Sequence, residues 1–132
     1  MHISRSVARL FTVALLLLLF LGTLMPGAWK DAATRPFGNG IDLPALAHVA
    51  LFAAIFSLIP LACFWQVKFW HAPALGLALA LLTEGLQFFA IDRHPNLAGI
   101  VQDVSGALIG GAIGWRLALA GRTARATVHS GH

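Results

Sequence analysis

Within residues 83–110, Glu84, Gln87, Arg93 and Asp103 stand among long apolar runs. A polar group facing lipid costs kilocalories, so an ionisable residue in such a run is a candidate for function by default. Glu84 and Gln87 are three apart and share one face of a helix. Residues 92–96 leave room only for a hairpin turn, which makes the flanking helices antiparallel neighbours. Counted back from that turn at ~1.5 Å per residue, Glu84 lies ~10 Å down one helix and Asp103 a similar distance down the other. The two carboxyl groups are therefore expected at one depth, and His48, a turn into its own apolar run, joins them.

Three chemistries suit such a cluster. Glu84 and Asp103 could form an acid–base pair, with Arg93 holding one of them ionised. Arg93 and its polar neighbours could hold the head group of a lipid-linked molecule. His48, Glu84 and Asp103 could ligate a metal, but neither an HExxH pattern nor paired histidines support this, so neither metal nor cofactor is expected. The competing reading is structural: polar side chains bond across membrane helices for about 0.6 kcal/mol per pair. That suffices for Gln87 but not for Glu84, where a neutral residue would do the same without burying an ionisable group. No serine or cysteine nucleophile motif is present, and His94 reads as a solvated turn residue.

The elements that position these residues are apolar. Of 132 residues, 58% are hydrophobic and 11% charged, against roughly 25% charged in soluble domains, which excludes an ordinary soluble protein. The net charge of +4 comes from scattered basic residues rather than a stripe with interleaved aromatics, so nucleic acid is not an expected partner. Cys63 has no second cysteine to pair with and reads as a small buried hydrophobe. Apolar runs at 7–25, 45–65, 70–91 and 97–115 are each long enough to cross a bilayer. The first also resembles a cleaved signal peptide, but Pro26 sits at −3 of the best cleavage site, after Ala28, and its retention is expected. Pro44 is placed to open the second span, and Pro60 to kink it. All four tryptophans fall at or beside span ends, where indoles prefer the interface.

The expected fold is therefore an all-α membrane protein with four transmembrane helices over 1–120 and a basic, disordered tail over 121–132. Arg5, Arg9, Lys68, Arg116, Arg122 and Arg125 fall on one side, against Lys30, Arg35 and Arg93 on the other. This asymmetry places both termini in the cytoplasm and the polar cluster toward the outer leaflet of the inner membrane. Gly106, Gly110 and Gly114 form a small-residue ridge on the fourth span, and Gly76 and Ala80 lie on the face of Glu84 on the third. These ridges predict a tight antiparallel hairpin of the third and fourth spans.

Glu84-x-x-Gln87, then Arg93, then Gly106 and Gly110 opening a small-residue helix, resembles the VanZ-like family, whose pattern is E-x-x-Q, a turn with R, then D-x-x-x-N-x-x-G. His48, followed by Phe52, resembles that family's earlier histidine. The family's aspartate falls here on Gly99 and its asparagine on Asp103. Its Asp-Lys pair falls on Pro44 and Ala45, with Asp42 as a stand-in for the acid. The resemblance implies a role at the cell envelope, in a family named for a protein that lowers susceptibility to teicoplanin. Three readings follow: engagement of an envelope lipid or precursor, an intramembrane acid–base enzyme, or an assembly partner.

Overall fold

The computed structural model describes residues 4–34, 36, 42–62, 70–91 and 97–129, with side chains through 121 except at residue 33. Five helices follow in order: α1 (Arg5–Leu24), α2 (Gly27–Thr34), α3 (Leu43–Ala62), α4 (His71–Leu86) and α5 (Leu97–His129), with a 3-10 turn at Gln87–Phe89 closing α4. Four segments are long and apolar enough to span a membrane: Arg5–Leu24, Leu43–Ala62, His71–Phe89 and Leu97–Gly121. The chain is thus an all-helical protein with the makings of a multi-pass membrane protein. Helix α5 runs on to His129, through residues that the sequence assigns to a disordered tail.

Local chemistry sets the helix ends. Ser4 caps α1, its hydroxyl accepting from the Val7 amide, and Pro26 follows the helix where it can no longer continue. Asp42 caps α3: its carboxylate accepts from the Ala45 amide at 3.1 Å, and Pro44 follows inside the first turn, where its missing N–H costs nothing. Pro60 lies inside α3, two residues before Ala62, where the described part of the helix ends. The Arg9 guanidinium donates from Nε to the Ala62 carbonyl at 2.9 Å. The bond ties the first turns of α1 to α3, and a cation suits the C-terminal side of a helix.

The spans pack in a ring of order α1, α3, α5, α4. The most extensive seam joins α3 to α5; α1 lies along α3, α4 lies along α5, and α1 meets α4 only lightly. Leu19, Phe52, Ile55, Phe56, Ala72, Ala80 and Ala107 fill the middle, with the Phe52 and Phe56 rings stacked 6.3 Å apart.

The glycine ridge of α5 corrects one expectation. A Cβ built on Gly106, Gly110 or Gly114 would run into the carbonyl oxygens of Val49, Ala53 and Ser57, so the ridge is pressed against the α3 backbone and not against α4. The face of α5 toward α4 is a different one: Gly76 of α4 abuts Ala107, and Gly111 abuts Ala72. Gly76 and Ala80 are buried there as expected, but the tightest seam lies between the second and fourth spans. Small residues permit this close approach because in lipid the packing itself drives association.

Candidate functional site

The polar residues gather at one end of the ring, where α1 and α4 finish and α3 and α5 begin. One backbone bond ties two pieces of chain together at this end. The Gly27 amide donates to the Ile91 carbonyl at 3.2 Å, which fixes the end of α1 to the end of the third span. At the same end, the Asp42 cap starts α3.

Asp103 sits six residues into α5 and is fully buried, at 0% exposure. A buried carboxyl needs partners, and two other helices supply them. His48 of α3 brings Nδ1 to 3.0 Å from Oδ1. Thr83 of α4, itself fully buried, holds its hydroxyl 3.4 Å from Oδ2 and 2.9 Å from the Ala80 carbonyl. The Thr83 proton thus favours its own helix, and its bond to Asp103 is at the weak end of the range. The firm partner of Asp103 is His48. With Asp103 ionised, Nδ1 must carry the hydrogen, so Nε2 of a neutral ring is an acceptor. The His48 side chain retains 18% exposure, against none for Asp103. Of this pair, the imidazole is the part that another molecule can reach.

Why His48 meets Asp103 follows from the seam beneath. The Gly106 contact with Val49 and Phe52 brings the two backbones together one turn further into the bundle. Directly above it, the side chains of His48 and Asp103 have little gap to cross. The glycine ridge is therefore part of the site: it sets the separation at which an imidazole and a carboxyl touch.

The second pair lies along α4. Gln87 donates from Nε2 to Glu84 Oε1 at 3.2 Å, and both side chains are 5% exposed. Their spacing of three puts them on one helix face, and the 3-10 turn begins at Gln87, followed by the exposed Phe88 and Phe89.

The residues singled out in sequence thus divide. His48 and Asp103 come together, as do Glu84 and Gln87. Glu84 and Asp103 share the same end of the bundle but are not bonded to one another; the partners of Asp103 are His48 and Thr83. Arg93 and His94 lie outside the described residues. Among the described residues, no group of three or more His, Cys, Asp or Glu could hold a metal ion. Sequence reasoning missed Thr83, although it precedes Glu84 directly and falls four residues before Gln87, which was signal enough to place it on the inner face.

An imidazole oriented by a buried carboxylate can accept a hydrogen bond at Nε2, hold a proton, or relay one. At the same end of the bundle, a carboxyl and a carboxamide on α4 offer both donors and acceptors. No family model, curated protein or solved structure matches this chain.

Proposed function

We propose that the chain is a multi-pass protein of the cell inner membrane that engages an envelope lipid or lipid-linked precursor through this polar level. Both termini lie in the cytoplasm and the site faces the outer leaflet. The observation that carries the reading is the His48–Asp103 pair: a fully buried carboxyl aims an imidazole that is still partly open. A pure helix clip would bury both partners or use neutral ones. The sidedness rests on the excess of basic residues at the other end of the bundle. The resemblance of Glu84-x-x-Gln87, Arg93 and His48 to the VanZ-like family supports an envelope role, with tolerance of teicoplanin as one outcome. Arg93, six residues after Gln87 in the sequence, is a hydrogen-bond donor that could contribute to holding a head group.

The same pair supports a second reading, an intramembrane enzyme in which His48 rather than a Glu84–Asp103 couple moves the proton. In either case Glu84→Gln should leave the helix face and its bond to Gln87 in place while removing an ionisable group. Expressed in a glycopeptide-sensitive host, the wild-type chain should raise the teicoplanin concentration tolerated, and Glu84→Gln should not at equal accumulation. A wild-type chain without effect would remove the tolerance reading. Single cysteines at Thr34 and Lys68 in a Cys63-free background check sidedness: an impermeant thiol reagent should reach the first from outside and not the second.

A further inference from the structure

One hydroxyl at this end of the bundle is out of place. Helical Ser and Thr ordinarily turn the hydroxyl back onto a carbonyl of their own helix. Thr12, Thr34, Ser57, Thr83 and Ser105 all do so here, at 2.7 to 3.1 Å. Thr23 does not. Its side chain is fully buried, and its hydroxyl has no hydrogen-bond partner among the described residues. A buried hydroxyl left unpaired costs ~1–3 kcal/mol, and the local alternative was available one turn back.

The position of Thr23 places it at the site. The bond from the Gly27 amide to the Ile91 carbonyl puts those two residues at one height. Thr23 is the next-to-last residue of α1, just before the chain turns at Met25 and Pro26, and Gln87 opens the 3-10 turn just before Ile91. Helix α1 also touches the 3-10 turn, whose buried residue is Gln87. Thr23 and the Glu84–Gln87 pair thus lie at the same end of the bundle, on the two sides of the lightly packed α1–α4 seam.

Resting on the lipid-engaging reading above, we infer that Thr23, Glu84 and Gln87 form a subsite for a hydroxyl-bearing head group, that of a neutral glycolipid, entering at the α1–α4 seam. The chemistry selects that class. The Glu84 carboxyl is an acceptor, the Gln87 carboxamide is both donor and acceptor, and the Thr23 hydroxyl is either. A sugar hydroxyl, which donates and accepts at one oxygen, satisfies such a set. A phosphate offers only acceptors and would sit beside the carboxyls of Glu84 and Asp103.

The test uses the full chain purified in a polyoxyethylene detergent, which carries no sugar. Binding of a diacylglycerol monoglucoside and of phosphatidylglycerol with the same acyl chains is measured for wild type, Thr23→Val and Thr23→Ser. Valine matches threonine in shape, so Thr23→Val should melt at or above the wild-type temperature. Glucolipid binding should weaken about three- to tenfold in Thr23→Val, the loss of one hydrogen bond, and return in Thr23→Ser. Equal glucolipid binding by wild type and Thr23→Val overturns the subsite and leaves the lipid reading intact. Preference of the wild type for phosphatidylglycerol overturns the glycolipid assignment. Binding of neither lipid defeats both readings.

Discussion

The α3–α5 seam and the α1–α4 seam are built on opposite terms. Along the first, three glycines of α5 lie against three backbone carbonyls of α3, and the contact is capped by an imidazole–carboxyl pair. Along the second, the helices meet lightly, are tied at their ends by one backbone bond, and enclose a hydroxyl that nothing described satisfies. Close backbone packing leaves no freedom, and it is used where His48 must meet Asp103. Loose packing with unsatisfied polarity is used where, on our reading, a ligand enters. One side of the ring is a fixed wall and the other an opening.

The largest effect should come from disrupting the wall. Gly110→Leu sets a side chain into the Ala53 carbonyl; overpacking of this kind costs ~1–3 kcal/mol, and a backbone contact that cannot yield puts this case at about 3 kcal/mol. Melting in detergent should show it, together with loss of the His48–Asp103 contact. Gly22→Ala is the control on α1. A Cβ there meets nothing within 4 Å, so better helix propensity should make it neutral or up to about 1 kcal/mol stabilising. Equal destabilisation by the two substitutions would erase the distinction between the seams.

Next in size is His48→Ala, which leaves the buried Asp103 carboxyl with Thr83 alone. The cost expected is ~1–3 kcal/mol, that of an unsatisfied buried polar group. A stability change below the scatter of repeat melts would mean that the pair does not form. The smallest effect belongs to the far end of the bundle. Arg9→Ala removes a donor from the Ala62 carbonyl and should cost ~0.5–1.5 kcal/mol without altering ligand binding. A binding defect in Arg9→Ala would show that the two ends are coupled.

Much of this was legible in the sequence. The apolar runs located the spans because nothing else in the chain is long and apolar enough. Counting turns from the short 92–96 connection put Glu84 and Asp103 at one end, and the place of His48 one turn into its own span put it there too. The sequence was less informative about rotation and partners. A stripe of glycines announces close approach but carries no address, because every neighbour in a membrane bundle is apolar, so the ridge of α5 was matched to α4 instead of α3. For the same reason Asp103 was paired by depth with Glu84, although the α3–α5 contact turns it toward His48. Thr23 could not have been found at all: a threonine in a leucine-rich span reads as one that bonds its own helix, and only the placement of its hydroxyl shows otherwise.

On this proposal the polar level is a ligand site and not a clip between helices. His48→Phe tests it most directly, because it keeps a flat ring of similar bulk and removes both ring nitrogens. Wild type and variant, purified in parallel, would be compared by native mass spectrometry for bound lipid and by melting in detergent. Wild type should carry a lipid of defined mass, and His48→Phe, while still folded, should have lost it. Retention of the same lipid at the same occupancy by folded His48→Phe would contradict the account and leave the pair as helix packing alone.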